Sequence, residues 1–355
     1  MYVVLAILLF GMLIAVHEWG HFMAARLCGV TVHEFSIGMG PALWKKQGRQ
    51  GTQYSLRAFP IGGYCAMEGE EEESDDPHSL SNCGFWQKAF VFVAGAAMNF
   101  LVGALMVLIL NLGAEAYRTT EITGFAPEFT LQGENGLQLG DSIYRVNGNR
   151  IYLFSDISLF LTEREQGGMD LEIVRDGEHI VLCDFPMEKK TCTDTESGQT
   201  YVGYGLYFGK VEEATLGRKL RMTCYNCLDF VRTVWYSLRM LVSGRAGAED
   251  LSGPVGIVST INEVGEQSAS VSDALWNIVY LGGLIAINLA VFNLLPIPAL
   301  DGGHILFLAV ATVIEKLFGK KVPKKYETVI SSVFMVLMLG LMLFVTFNDV
   351  VKLFR

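Results

Sequence analysis

The N-terminal stretch MYVVLAILLFGMLIAVHEWGHFMAAR, residues 1–26, carries no formal charge before Glu18. It then sets His17, Glu18 and His21 within about one helical turn. About 20 apolar residues suffice for a helix to cross the ~30 Å hydrocarbon layer. No Lys or Arg precedes Arg26, and no small-residue cleavage site follows, so the stretch lacks the parts of a signal peptide. It is expected to be a retained span running to about Arg26. On a helix, residues i and i+4 share a face, so the two imidazoles of His17-Glu18-Trp19-Gly20-His21 can bind one metal ion. Glu18 beside them can take a proton from water activated at that ion. Each ionisable group at the bilayer centre costs at least ~2.5–3.5 kcal/mol, so three in one turn need a compensating partner. A bound Zn²⁺ supplies one. At ~1.5 Å per residue the site lies inside the membrane, nearer the far end of the helix.

Outward from this span, the apolar residues come in further blocks. Ala89–Leu112, Ala274–Leu300 and Val329–Phe347 carry no formal charge, which gives four expected transmembrane helices. The 355-residue chain is 51% hydrophobic and 18% charged, with mean hydropathy +0.35, which excludes a disordered chain and a small disulfide-stapled domain. The net charge of −10 comes largely from the acidic run Glu68 to Asp76, read as a solvated loop, and no basic patch points to nucleic acid.

Four spans leave three connections. Residues 27–88 hold Lys45, Lys46, Arg49, Arg57 and Lys88; residues 301–328 hold Lys316, Lys320, Lys321, Lys324 and Lys325. Short basic loops stay cytoplasmic, whereas long domains translocate regardless of charge. The first and third connections are therefore expected inside. The middle domain and both chain ends are expected outside. In the first connection, residues 32–44 and 52–67 read as strands of a membrane-associated β-hairpin or sheet, rich in β-formers and in Gly38, Gly40, Gly62 and Gly63. In the middle domain, Gly136–Gly148 and the Asp176-Gly177 turn indicate a β-rich module over residues 115–210. Residues 217–256 read as an amphipathic helix, with Arg218, Arg221, Arg232 and Arg239 on one arc, then a Gly-rich segment. Cys224 and Cys227 read as ordinary helix residues.

A catalytic zinc usually takes three protein ligands and one open position. The third span runs parallel to the first, and Pro296 and Pro298 break its helix before Asp301. Asp301 is the leading third ligand. His304, further toward the cytoplasm, is its rival.

These two segments resemble the paired motifs of the site-2 intramembrane metalloprotease family, His17–His21 in the first span and Asn293-x-x-Pro296-x-Pro298-x-Leu300-Asp301-Gly302 in the third. The resemblance is to its bacterial sigma-E-regulating branch and covers nearly the whole chain. Residues 35–44 and 60–64 resemble that branch's membrane-associated β segment, residues 251–257 the approach to its third span, and Phe347-Asn348-Asp349 its tail. Gly136–Gly148 resembles the GLxxGDxIxxVNG core of a PDZ domain. The resemblance implies a polytopic α-helical protein of the bacterial cytoplasmic membrane with one extracytoplasmic PDZ-like domain, where that branch carries two. It implies Zn²⁺ on His17, His21 and Asp301, Glu18 as base, and substrate contact at Asn293 with Pro296 and Pro298. Its substrate would be another protein's transmembrane helix, such as an anti-sigma factor or a remnant signal peptide. A peptide or C-terminus would be the ligand of the PDZ-like module. The second span reads Gly95-Ala-Ala-Met-Asn99 where the family has Gly-Pro before its Asn.

A helix must unwind before cleavage, and in lipid each freed backbone group costs several kcal/mol unless paired. An exposed strand edge over residues 52–67, around Ile61, Gly62 and Gly63, can pair it by β-addition. Two competing readings are a metal or proton transporter using His17, His21 and Asp301, and an inactive scaffold with a peptide-binding module. The uncharged Tyr2–Val16 stretch favours a one-sided catalytic pocket, and an intact Glu18 disfavours the scaffold.

Overall fold

The computed structural model describes the chain except residues 50, 71, 73, 162–167, 194–199, 246, 248–251, 320, 321, 354 and 355; it does not describe the side chains of 60, 61 and 353. The expected charges Glu71, Glu73, Lys320 and Lys321 thus lie outside the described residues, as does the side chain of Ile61.

In chain order the helices are α1 (Tyr2–Leu27), α2 (Phe85–Gly113), α3 (Phe154–Leu161), α4 (Leu216–Val242), α5 (Pro254–Gln267), α6 (Val271–Asn293), α7 (Asp301–Phe318) and α8 (Lys324–Leu353). The strands are β1 (Val32–Gln47), β2 (Gln53–Met67), β3 (Ala116–Arg118), β4 (Gly124–Phe125), β5 (Ser142–Val146), β6 (Asn149–Arg150), β7 (Met169–Arg175), β8 (Glu178–Phe185), β9 (Lys190–Thr193), β10 (Thr200–Gly203), β11 (Leu206–Tyr207) and β12 (Val211–Glu213). They form two compact units, residues 1–107 with 230–355, and residues 108–229.

In the first unit, α1, α2, α6 and α8 are each long and apolar enough to cross a membrane, as expected. In the third apolar block the helix ends short of Asp301, as the prolines lead one to expect. α6 stops at Asn293, before both prolines, and a tight loop leads into α7. The connection 301–328, expected as a basic loop, is mostly helix, because apolar positions of Ile305–Phe318 recur at helical spacing. Small residues set the helix contacts. A Cβ on Gly20 would lie 2.4 Å from the Ala94 carbonyl oxygen of α2, and one on Gly103 would lie 3.0 Å from the Gly283 oxygen of α6. At the start of α5, the buried Asp349 carboxylate of α8 accepts from the main-chain N–H of Gly253 at 2.9 Å and of Gly256 at 2.8 Å. An anion at a helix N-terminus is stabilising, and the glycines leave it room.

β1 and β2 form a curled ribbon rather than a plain hairpin. Residues Glu34–Ile37 pair with Ala66–Gly63 along one edge and with Gln53–Leu56 along the other, while Trp44–Gln47 pair with Leu56–Gln53. Gly38 and Gly40, with φ of +86° and +85°, make the bend in β1. Arg57 holds the curl together. It donates to Glu34 Oε1 at 2.7 Å, Ser36 Oγ at 2.9 Å and the Gly40 oxygen at 2.8 Å, and also to the Tyr64 hydroxyl. Burial pushes the Glu34 carboxyl up, but donors from Ser55, Arg57 and Tyr64 outweigh it and hold the pKa at about 2. No described strand covers the outer edge of Gly63–Met67.

The second unit is β-rich, with a four-stranded sheet in the order β6-β5-β7-β8 and a core including Ile122, Leu137, Ile143, Leu171 and Ile173. Its hairpins turn at Asn147-Gly148 and Asp176-Gly177, each pair with positive φ, as two-residue hairpin turns require. Asp141, fully buried, accepts two bonds from Arg175, both 2.8 Å, and one from the Gln138 N–H at 2.7 Å, which pins the Gly136–Asp141 turn. Cys227 is buried in α4 and Cys224 exposed, both as free thiols.

Candidate metal centre

α1 is one uninterrupted helix through the HExxH segment, so His17 and His21 share a face. Their Nε2 atoms are 3.2 Å apart. Asp301, the first residue of α7, brings its Oδ2 to 3.4 Å from His17 Nε2 and 3.5 Å from His21 Nε2. Local backbone aims that carboxylate. Ala299 takes a φ of +83°, a strained value for a residue with a side chain. Gly302 and Gly303 sit so tightly on the preceding loop that a Cβ would come within 2.2 Å of the Leu295 oxygen and 2.3 Å of the Ile297 oxygen.

The three atoms form a nearly equilateral triangle. An ion with bonds of ~2.0–2.1 Å to N and O ligands in tetrahedral array separates them by about 3.3–3.4 Å. Asp301 Oδ2 is buried and has no hydrogen-bond partner. His21 Nδ1 donates to the Val91 carbonyl at 2.8 Å, which puts the proton on Nδ1 and leaves the Nε2 lone pair facing the triangle. The His21 Nε2 lone pair and the Asp301 carboxylate oxygen face each other with no proton between them, an arrangement that a cation beside them relieves. The residues fit a zinc ion with an open fourth position.

The site opens into a cavity of about 910 Å³, lined by His17, Glu18, His21, Asn293 and Asp301, by Tyr64–Met67 of β2, and by the N-terminal half of α8. Glu18 packs beside Gly63, where a Cβ would lie 3.3 Å from its Cγ. The Asn293 amide is 3.4 Å from His17 Nδ1. His304 lines the cavity but stands outside the triangle, its Nδ1 2.8 Å from Glu327 Oε1 and its ring stacked on Phe92. Pro296 and Pro298 shape the loop and are not among the lining residues. Gly62 has φ of +89° and, with Pro60 and Ile61, lies at a bend outside the paired register, so the open edge begins at Gly63.

Two further features bear on the site. Gly95 of α2 lies against the two histidines of the triangle, where a Cβ would come within 2.3 Å of His21 Nε2 and 2.8 Å of His17 Cε1. Lys324 donates to the main-chain oxygens of Gly69 and Glu70, which ties α8 to the end of β2. Helical spacing from Gly95 to Asn99 was the available sign of the first, and nothing local signals the second.

The sequence model of peptidase family M50 matches residues 5–341. The chain belongs to peptidase family M50. A Clostridium perfringens protein named as a candidate zinc metalloprotease is 34% identical over 352 residues, 99% of each chain. A Clostridium acetobutylicum protein so named is 33% identical over 352 residues, covering 98% of this chain and 97% of its own. One from Synechocystis is 34% identical over 362 residues, covering 98% and 94%. M50 peptidases are zinc metalloproteases, and the donor triangle of this M50 chain suits that metal. With its four apolar helices, this M50 peptidase is an integral membrane protein.

Proposed function

We propose that this M50 peptidase hydrolyses peptide bonds within the transmembrane segments of single-span proteins. Substrates of the expected kind are anti-sigma factors already trimmed outside and remnant signal peptides. One observation carries the reading: the donor triangle and a strand edge that no described strand covers share a single cavity. His17, His21 and Asp301 would hold zinc. Bound there, zinc supplies a Lewis acid that polarises the scissile carbonyl and acidifies water.

The rest of the chemistry belongs to the chain. A substrate helix must unwind to expose its peptide bond. The Gly63–Met67 edge pairs with the freed backbone by β-addition, and Gly63 lets it lie close to Glu18. Glu18 takes the proton of the attacking water and returns it to the leaving amine. Asn293, between the triangle and the cavity, contacts the substrate segment. The protein resides in the bacterial cytoplasmic membrane, with both ends and the 115–210 module outside. That module is PDZ-like in its Gly136–Gly148 turn and would take a peptide or C-terminus.

The test is cleavage of a single-span protein by detergent-purified wild type beside Glu18→Gln, with zinc counted in both. Cleavage by wild type alone, at about one zinc per chain in each, supports the reading. Zinc in both and cleavage in neither refutes it for that substrate class and favours a transporter or scaffold.

A further inference from the structure

From Val329 to Val345, α8 is apolar apart from Ser331 and Ser332 (and Gly340). Both serines line the catalytic cavity, with Thr328 one turn before Ser332. Val329, Ile330, Val333 and Phe334 of the same turns are exposed, as a lipid-facing surface would be. The three hydroxyls thus line the cavity, and Met335 and Val336, one helical turn after the serines, line it too.

We infer that Thr328, Ser331 and Ser332 bind the main chain of the unwound substrate on the side the strand edge does not reach. This rests on the proteolytic reading above. A segment added to Gly63–Met67 satisfies only those N–H and C=O groups that point toward β2, since successive groups along a strand alternate in direction. In a membrane the other half has no water to turn to. Three hydroxyls in the same cavity supply the missing partners. Thr328 Oγ1 donates to the Lys324 oxygen at 3.3 Å and Ser332 Oγ to the Thr328 oxygen at 2.8 Å. Each spends its proton on its own helix and keeps lone pairs that accept a substrate N–H. Ser331 Oγ is buried without a hydrogen-bond partner and is free to donate or accept. Serines in membrane helices often bond to a neighbouring helix. Here Ser331 makes no such bond, and the cavity lies beside it.

The test compares wild type, Ser331→Ala and the triple variant Thr328→Val/Ser331→Ala/Ser332→Ala in lipid nanodiscs. The substrates are a synthetic single-span peptide and versions in which one backbone amide near the cleaved bond is replaced by an ester, which deletes one N–H. The expected result is at least about a tenfold lower kcat/KM for the triple variant, with zinc content unchanged and partial rescue by Ser331→Thr. An ester that slows wild type about tenfold should barely slow the triple variant, because the partner of that N–H is already gone. Equal ester penalties in both enzymes, or hydroxyl variants cleaving at the wild-type rate, overturn the inference and leave the protease reading intact. Wild type as inert as Glu18→Gln overturns the protease reading itself, and this inference with it.

Discussion

His21 Nε2 and Asp301 Oδ2 lie 3.5 Å apart, at hydrogen-bond range, yet the carboxylate oxygen has no hydrogen-bond partner. The pairing makes sense once His21 donates its Nδ1–H to the Val91 carbonyl, because Nε2 and the carboxylate oxygen are then both acceptors aimed at one point. Removing either acceptor should release the metal. His21→Ala and Asp301→Ala are expected to weaken zinc binding by more than about a hundredfold, measured by chelator competition. His304→Ala should hold zinc like wild type, since Glu327 and Phe92 occupy that ring. Equal zinc loss in His304→Ala would mean the ligand set is misassigned.

Gly95 gives a second prediction. Its missing side chain is what lets α2 approach the two imidazoles. Gly95→Val should abolish zinc binding while the helices still insert. Gly113→Ala, on the same helix with nothing within 4 Å, should be silent. Zinc content and protease resistance of the two variants separate these outcomes.

Asp349 gives a third. Its two bonds to the start of α5 are charge-assisted, so Asp349→Ala should cost about 2–4 kcal/mol and Asp349→Asn less. Hydrogen exchange should localise the loss to the first turn of α5. An unchanged exchange pattern there would show that the contact does not hold the helix.

The Glu34–Arg57 cluster gives a pH dependence. A carboxyl held at about 2 when folded titrates near its ordinary 4.5 when unfolded. The native form binds fewer protons, so the contribution is full above the ordinary value and fades as pH falls toward 2. Trp44, on the paired strand, should report that loosening by fluorescence. Glu34→Gln should flatten the response, and a response unchanged in that variant would assign it to other groups.

The parts of this protein legible in the sequence are those fixed by nearby residues. A charge-free run gives a span, HExxH gives two imidazoles on one face, and Asp-Gly or Asn-Gly gives a hairpin turn. The approach of Asp301 to the two histidines was legible because proline-broken backbone at membrane depth has few uses. The remainder depends on residues far apart. β1 pairs both sides of Glu34–Ile37 because Arg57 ties the curl, and strand patterns carry no sign of a ribbon meeting itself. Gly20 against Ala94 and Gly253 against Asp349 are packing facts, which a lone glycine does not announce. The five lysines of residues 301–328 point to a basic loop, although Ile305–Phe318 carries a helical pattern, and that periodicity outweighs the charge.

The ligand triangle joins residues about 280 positions apart, and ribosomes add roughly 5–20 residues per second. For roughly 15–55 s after His17 and His21 leave the ribosome, their third partner does not yet exist. A nascent or truncated chain therefore holds two histidines and a glutamate without Asp301 to complete the set. On the proposed ligand set the metal site is complete only once Asp301 has been made, so a shorter nascent copy would lack the third donor.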